Sequence, residues 1–557
     1  MTDNERLAEL LFGDIDKTVE YFEEKYPARN LPEGARVTRF APSPTGYLHI
    51  GGLFGALTDI LTAKASGGIS MLRIEDTDKK REVGDGVEAI IDGFAAFGLE
   101  FDEGVTGRDT QKGEYGPYTQ SKRVELYQTV AKKLVAEGKA YPCFCSAEEL
   151  NVLRAQQEKE GAAFGGYYGK WAKCRNLTYE QIERKIKNGE PYVLRFRSDG
   201  DEEKRIIFDD IIKGKIEMPE NVTDEVLLKS DKIPTYHFAH ICDDHFMRTT
   251  HVIRGEEWIS STAKHIQMFK ACGFKVPKYA HTPQIMKIDE EDGTKRKFSK
   301  RKDPEAAVSY FVKEGYPKEA LIEYLMGLLN SNFEDWRRAN PSADVFSFPF
   351  NLKKMSASGC LFDLVKLADV SKNAVSVMKA QTVFDRVYEW AKTYDPELYG
   401  LFSQDTEKAK DILNIDRENP KPRKDIAKWS EVKDYVSFFY NEIYKENYTL
   451  PQNIKAEDAC EIIKAYKSIF DVNDEKQVWF DKIKSICAPL GFTENVKEYK
   501  KTPEDFKGHV GDVSTVIRIA LTGRTNTPDL HAIMRILGAD EVRARLTKAE
   551  NTFKGEN

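Results

Sequence analysis

The spacing of apolar residues predicts alternating strands and helices near the start of the chain. Residues 37–40 are predicted to form a short strand, residues 51–65 a helix and residues 69–74 a second strand. A strand, a crossing helix and a second strand make a βαβ unit, the usual beginning of a parallel sheet. The apolar face of the predicted helix is formed by Leu53, Ala56, Leu57, Ile60 and Leu61.

The pattern changes several times along the chain, and 557 residues are too many for one core. Near the C terminus, Asp512 is predicted to cap a helix that ends at Gly523, and Thr527 begins another that ends at Gly538. We expect an α/β protein with a helical C-terminal region. Its predicted segments are a helical extension (1–34), the first half of a sheet domain (35–121), an inserted domain (122–225), the second half (226–316), a helical junction (317–375) and a helical region (376–557).

Charge and hydropathy narrow the class of protein. The formal net charge of −7 argues against a protein that coats nucleic acid, although local basic patches can still bind RNA. No apolar stretch approaches the length of a membrane span, and residues 1–17 lack the basic start of a signal peptide. We therefore expect a cytoplasmic protein without a membrane partner, whose eight cysteines are thiols or metal ligands.

A candidate phosphate site follows the first predicted strand. The prolines and glycine of residues 42–46 force a turn, and Gly51 and Gly52 leave the start of the next helix without side chains. A nucleotide phosphate can approach such a helix N-terminus closely, and His49 beside it can donate a hydrogen bond to charge that builds up on phosphorus. A histidine that only packs or caps the helix explains the same four residues.

A second candidate is the basic segment 295–302, in which six of eight residues are Lys or Arg. Such charge density repels itself, so we expect a loop that is mobile until an anion binds. Lys297 and Lys300 would stabilise a leaving pyrophosphate there. A solvated charge run or a patch for the RNA backbone is the competing interpretation.

Together these segments resemble the two signature motifs of class I aminoacyl-tRNA synthetases. Residues 49–52 resemble the HIGH motif, with Gly52 in place of its last histidine, and residues 297–301 resemble KMSKS. Residues 39–46, 73–78, 229–239 and 251–258 are similar to the glutamyl branch of that family.

The resemblance implies a fold and a reaction. The fold is a Rossmann-like catalytic domain with an inserted domain for the tRNA acceptor end, followed by an all-α anticodon-binding region of the bacterial type. The implied reaction uses ATP and Mg²⁺ to form glutamyl-adenylate from L-glutamate, and then transfers the glutamyl group to the terminal adenosine of tRNA(Glu). Bacterial members are monomers, and their activation of glutamate generally requires bound tRNA.

Site residues follow from the same resemblance and from charge. Glutamate carries two carboxylates and an ammonium group, which require two cationic groups and one anion. Arg39 and Arg254 are the predicted cations and Glu75 the predicted anion. Further expected glutamate contacts are Ser43, Tyr236 and His240, the last at a position where the family often has Asn; expected ATP contacts are His49, Gly51, Gly52, Glu257, Trp258 and Lys300; expected catalytic residues are His49, Lys297 and Lys300.

A zinc site is implied within the inserted domain. Cys143, Cys145 and Cys174 match positions at which some relatives hold zinc, and Tyr168 is the candidate fourth ligand because Asn176 stands where a histidine would complete the set. Free thiols explain these cysteines equally well. In the C-terminal region, the arginines available for RNA contact are Arg518, Arg524, Arg535, Arg543 and Arg545.

Three alternatives compete with a glutamate-charging enzyme. A related nucleotidyltransferase would share the phosphate turn but has no use for a long helical tail. A tRNA-modifying paralogue is usually short and lacks the C-terminal domain. A catalytically silent RNA-binding protein is disfavoured by the presence of His49, Glu75, Arg254 and Lys300.

Overall fold

The computed structural model describes residues 1–78, 84–162, 164–289, 291–299 and 302–555. Its strands are β1 Val37–Phe40, β2 Ile69–Leu72, β3 Glu103–Val105, β4 Gln111–Lys112, β5 Ala140–Cys143, β6 Val193–Phe196, β7 Arg205–Asp210, β8 Gly214–Pro219, β9 Val226–Leu228, β10 His251–Gly255, β11 Lys278–Thr282, β12 Ile285–Ile288, β13 Lys295–Lys297 and β14 Cys360–Leu361.

Helices occur throughout the chain and replace strands almost completely after residue 304. The first are α1 Asp3–Phe12, α2 Val19–Lys25, α3 Ile50–Lys64, α4 Gly86–Ala96, α5 Val124–Ala136, α6 Ala147–Lys159, α7 Tyr179–Lys187, α8 Tyr236–Phe246, α9 Thr262–Cys272, α10 Val308–Glu314, α11 Lys318–Leu329 and α12 Phe333–Ala339. Those that follow are α13 Leu364–Ser376, α14 Ala380–Tyr394, α15 Pro396–Gln404, α16 Thr406–Asn414, α17 Val432–Val436, α18 Ala456–Ile469, α19 Lys476–Ser485, α20 Val496–Tyr499, α21 Val510–Thr522, α22 Leu530–Leu537 and α23 Ala539–Lys554.

These elements form two compact units. The first contains residues 1–312 and 322–363, and the second contains residues 313–321 and 364–557. The predicted α/β class with a helical C-terminal region is confirmed, whereas the finer six-segment division stays a prediction.

A parallel sheet organises the first unit. Strands β3, β2 and β1 lie side by side in parallel, and β10 pairs in parallel with β11. The two sets meet where the backbone N–H of Thr250 donates to the carbonyl oxygen of Val37 at 2.9 Å. The strand order β3-β2-β1-β10-β11 is that of a Rossmann-like fold, with its topological switch point between β1 and β10.

The predicted β1 and α3 are found within one residue of their expected bounds. Strand β2 ends at Leu72, earlier than the predicted residue 74, because the chain then turns to a new neighbour. The backbone N–H of Ile74 donates to the carbonyl oxygen of Tyr118 at 2.9 Å.

Segments around the sheet complete the first unit. The N-terminal helices are part of its core, since Leu7, Phe12 and Phe22 belong to the same apolar cluster as α5 and α8. In the sequence, two further structures lie between the two halves of the parallel sheet. They are an antiparallel sheet of β5, β6 and β9 and the hairpin of β7 and β8. Another small sheet contains β12, β13 and β14.

Among its described residues, the second unit contains helices and no strands. Helices α18, α19, α21 and α23 enclose one apolar cluster, and α14 to α17 contribute to another. Helix α21 begins at Val510, and its cap is His509 rather than the predicted Asp512. Asp512 instead accepts a hydrogen bond from the backbone N–H of His509, which completes a capping box, and Gly523 ends the helix at φ +70° as predicted.

Candidate functional site

A cleft of about 670 Å³ opens at the carboxyl ends of β1 and β10. The strand order reverses at this point, which is where open α/β sheets bind their ligands. Most of the residues predicted from the sequence line this cleft: Arg39, Ser43, His49, Gly51, Gly52, Glu75, Tyr236, Arg254, Glu257, Trp258 and Lys297.

His49 is the N-cap of α3. Its Nδ1 accepts a hydrogen bond from the backbone N–H of Gly51 at 3.0 Å, so the proton of the neutral ring is on Nε2. Phe298 contacts the ring edge to face, with centroids 6.1 Å apart. The capping and the chemical interpretations are therefore compatible, because the cap itself fixes the tautomer that donates from Nε2.

Arg39 is buried at β1 and has a carboxylate partner. Its Nε lies 3.1 and 3.2 Å from the two carboxylate oxygens of Asp244. Asp244 also accepts from Nη1 of Arg73 at 2.6 Å. Burial alone would raise the pKa of Asp244, but Arg39 and Arg73 hold it well below its usual value.

Glu75 continues this chain of alternating charges. Its Oε1 accepts from Nη2 of Arg73 at 3.1 Å, and the carboxylate reaches the cleft. Burial raises the pKa of Glu75, and the nearby Arg73 offsets only part of that effect. A substrate ammonium group would favour the charged form of this carboxylate.

The aromatic wall of the cleft is formed by Tyr236 and Trp258, whose rings lie 4.4 Å apart. The predicted substrate contact at His240 is not found among the described residues that line the cleft. His240 is completely buried and stacks on the ring of Tyr236 at 5.9 Å. Its Nδ1 lies 2.7 Å from Asp244, and burial lowers its pKa to about 3.

Three residues of the predicted basic loop form strand β13, Lys295–Lys297. Lys297 is at the end of β13, pairs across the hairpin with Met286 and lines the cleft. Arg296 is tied to Asp303 by two hydrogen bonds of 2.6 and 2.8 Å. Lys300 lies outside the described residues, so its predicted role stays a prediction.

The three cysteines of the inserted segment come together. Their Sγ atoms all lie within 4.8 Å of one another, and those of Cys145 and Cys174 are 3.7 Å apart. Hydrogen bonds from the other two thiols hold the pKa of Cys143 far below its usual value.

The tyrosine beside these thiols is Tyr167, not the predicted Tyr168. The hydroxyl of Tyr167 lies 3.3 Å from Sγ of Cys145 and accepts from the backbone N–H of Cys174 at 2.9 Å. Tyr168 is directed elsewhere and donates to the carbonyl oxygen of Phe164 at 3.0 Å.

Several functional partners were missed from the sequence. Asp244 holds Arg39, while His265, His281 and Thr262 hold Arg254. One local signal was present, because Arg73 and Glu75 are two residues apart on extended chain and so share a face. The partners of Arg254 come from other elements and have no sequence signal of that kind.

The five predicted C-terminal arginines differ in burial, and Arg518 and Arg524 are half-buried. Arg545 is buried and donates to the carbonyl oxygens of Phe438 and Leu521, each at 2.7 Å, so it supports the fold and does not face RNA. Arg535 and Arg543 are exposed. Within the described parts of the chain, no helix is long and apolar enough to cross a membrane.

The parallel sheet, the capped helix beside its switch point and the charged cleft define a nucleotide-binding α/β enzyme. Residues 36–357 match the family model described as tRNA synthetases class I (E and Q), catalytic domain, and residues 385–550 match an anticodon binding domain. The chain therefore belongs to the class I tRNA synthetases of the E and Q group.

Individual relatives agree with this assignment. A glutamate–tRNA ligase of Clostridium beijerinckii is 51% identical over 98% of this chain and 99% of its own, and one of Sorangium cellulosum is 43% identical over 97% and 99%. A crystal structure of a glutamate tRNA ligase from Elizabethkingia meningosepticum, in complex with its amino acid, is 29% identical, with a TM-score of 0.73 over 93% of this chain and 99% of that one.

Proposed function

We propose that this chain attaches L-glutamate to tRNA(Glu) in two steps, of which the first consumes ATP. The α-carboxylate of glutamate attacks the α-phosphate of ATP and releases pyrophosphate. A hydroxyl of the terminal adenosine of the tRNA then attacks the carbonyl carbon of the mixed anhydride and releases AMP. The protein contributes positioning and electrostatics, and no covalent bond to the protein is required.

The charge arrangement of the cleft is the observation that carries this proposal. Arg39 and Arg254 supply cationic groups and Glu75 an anionic one, and all three line one cavity. This set complements two carboxylates and one ammonium, the charges of glutamate. Ser43 and Tyr236 add hydroxyl groups to the same cavity.

The ATP side of the cleft is proposed to lie at the N-terminus of α3. Gly51 and Gly52 let the phosphates approach the backbone N–H groups, where the helix dipole favours negative charge. His49 donates from Nε2 to the reacting phosphate, and Lys297 and Lys300 stabilise the departing pyrophosphate.

Trp258 and Glu257 complete the proposed nucleotide site. Mg²⁺ usually binds through one or two carboxylates together with substrate phosphates. Glu257 is a candidate ligand because it lines the cleft and, unlike Glu75, is not paired with Arg73. The metal would supply charge neutralisation for the phosphates when ATP binds.

A structural zinc ion is proposed for the cysteine cluster. Three thiols within 4.8 Å of one another and the adjacent phenol of Tyr167 offer the four ligands of a tetrahedral site. Purified enzyme should contain about one zinc per chain. Tyr167→Phe should release zinc to a chelator more readily, whereas Tyr168→Phe should behave as wild type. A metal-free active enzyme, or equal effects of the two variants, would contradict the site.

The remaining partners follow from the family. We infer that the helical second unit binds the anticodon of the tRNA and that the enzyme works as a cytoplasmic monomer. All eight cysteines are free thiols, which suits a reducing compartment. The match to an anticodon binding domain disfavours a short tRNA-modifying paralogue.

Charging of total tRNA with tritiated glutamate tests the function. Acid-precipitable label that depends on ATP and tRNA is the expected result. Charging with a different amino acid, or with none, would contradict it.

A further inference from the structure

Arg254 is held by an unusually complete set of partners. Its Nε donates to Nε2 of His281 at 3.1 Å, and its Nη1 lies 3.0 Å from Nδ1 of His265. Its Nη2 donates to Oγ1 of Thr262 at 3.0 Å and to the carbonyl oxygen of Trp258 at 3.4 Å. An arginine has five N–H donors, so within the described structure one Nη1 N–H remains for the cleft.

The donors of Arg254 determine the proton positions on both histidines. Because an arginine cannot accept, Nε2 of His281 and Nδ1 of His265 must be the unprotonated nitrogens. The proton of His281 is then on Nδ1, which lies 2.7 Å from Oδ2 of Asp210. The proton of His265 is on Nε2, which faces Nδ1 of His237 at 2.9 Å. Burial lowers the pKa of both histidines, which favours these neutral forms.

The partners of Arg254 are all neutral. Two imidazoles, a hydroxyl and a carbonyl orient the guanidinium, and among the described residues no carboxylate lies within 4.0 Å of it. Arg39 differs, because Asp244 already compensates its charge. The protein therefore orients Arg254 without neutralising it, and the positive charge stays available to a carboxylate that enters the cleft.

We propose that His265 and His281 are positioning residues for glutamate selectivity: as neutral acceptors they fix the guanidinium of Arg254 so that its charge and one Nη1 N–H face a carboxylate of the substrate. This inference rests on the proposed glutamate site. It also changes the expected contact, since Arg254 offers the substrate a single N–H and not the two parallel N–H groups of a free guanidinium fork.

The two histidines use opposite ring nitrogens, and this asymmetry provides the test. A glutamine side chain places its amide oxygen near the position of a histidine Nε2, whereas asparagine places it near Nδ1. His281→Gln should therefore keep the acceptor for Arg254, and His281→Asn should lose it. At His265 the order reverses, so that His265→Asn keeps the acceptor and His265→Gln misplaces it.

The measurement is the Michaelis constant for glutamate in tRNA charging by the full-length enzyme, with the KM for ATP and the melting temperature recorded for each variant. His281→Asn and His265→Gln should raise the KM for glutamate roughly tenfold or more, the effect of losing one charge-assisted hydrogen bond. For their counterparts His281→Gln and His265→Asn, the KM for glutamate should stay within about threefold of the wild-type value. The KM for ATP should not rise together with the KM for glutamate in any of the four variants.

Two outcomes would overturn the inference. If asparagine and glutamine have equal effects at each position, or if the KM for ATP rises in step with that for glutamate, the histidines only support the fold. Wild-type enzyme in the same assay separates this failure from that of the proposed function. A wild type that charges glutamate leaves the function intact, whereas one that does not refutes both.

Discussion

Arg39 and Arg254 illustrate how residues of one type acquire different properties from their neighbours. The charge of Arg39 is balanced by Asp244, which also holds Arg73. The guanidinium of Arg254 is oriented by neutral partners, which leave its positive charge uncompensated. We therefore expect Arg254 to attract a substrate carboxylate more strongly than Arg39 does.

Replacing Asp244 should be severely destabilising. Asp244→Asn leaves two buried guanidinium groups without their shared anion, and removal of one partner from a buried ion pair costs about 3–5 kcal/mol. We expect a fall of several degrees in the melting temperature measured by calorimetry. Asp109→Asn is the matched control, because its pair with Lys122 at 3.5 Å is exposed and such pairs contribute about 1 kcal/mol or less. Equal melting temperatures of the two variants would refute the role given to Asp244.

At the scale of single residues, the sequence predicted which side chains approach the cleft but not what holds them. Charge complementarity to glutamate identified Arg39, Glu75 and Arg254, and the structure brings them into one cavity. Asp244 lies 205 residues from Arg39, and His281 lies 27 residues from Arg254 on another element, so no local pattern indicates these partners. Tyr168 was predicted because it lies near Cys174 in the sequence, but a difference of one residue directs the two tyrosines to different surroundings.

Two helices of this protein begin with the same arrangement. His49 caps α3 and His509 caps α21, each with Nδ1 accepting from the backbone N–H two residues later, at 3.0 and 2.9 Å. The His-x-Gly cap is therefore a local structural solution that the chain uses twice. Of these two histidines, only His49 lines the candidate cleft.

Asparagine separates capping from catalysis at these positions. Asn is among the best N-cap residues, so His49→Asn should keep α3 stable while it removes the Nε2 donor. Adenylate formation should slow by about 10²–10³-fold, the usual cost of losing one donor to a transition state. His509→Asn should leave that rate unchanged. Rapid-quench measurement of adenylate in the presence of tRNA gives both rates, and an unimpaired His49→Asn enzyme would contradict the role of His49.

Elements were predictable where their pattern is local. β1 and α3 follow from apolar spacing and from the turn between them, and Gly523 ends α21 because its φ of +70° favours glycine. The start of α21 was predicted wrongly because Asp is a common N-cap residue and histidine is not among the residues that sequence-based capping rules favour. β13 was predicted as a loop because its charges suggest repulsion, but Asp303 compensates Arg296 from seven residues away.

For the whole molecule, buried neutral histidines imply acid sensitivity. Burial lowers the pKa of His240 to about 3 and that of His251 to about 4. An unfolded histidine titrates near about 6.5, so below that pH only the unfolded chain binds these protons. Stability is therefore fully present above about pH 6.5 and is lost by about 1.4 kcal/mol per pH unit for each histidine as pH falls toward the folded pKa of about 3 for His240 and about 4 for His251.

A single substitution isolates the contribution of His240. Between pH 7 and pH 5.5 the melting temperature of wild type should fall further than that of His240→Asn, because the variant has no proton to take up on unfolding at this position. Calorimetry in matched buffers measures the difference. Identical falls would show that His240 is not held neutral in the folded protein.

The central claim for the molecule is that its cleft selects glutamate by charge. The direct measurement is kcat/KM for tRNA charging with glutamate relative to glutamine, which has nearly the same shape but lacks the second negative charge. A site built around buried cations should reject glutamine by about 10³-fold or more, because a guanidinium would be left unpaired. A preference within about tenfold would contradict the account.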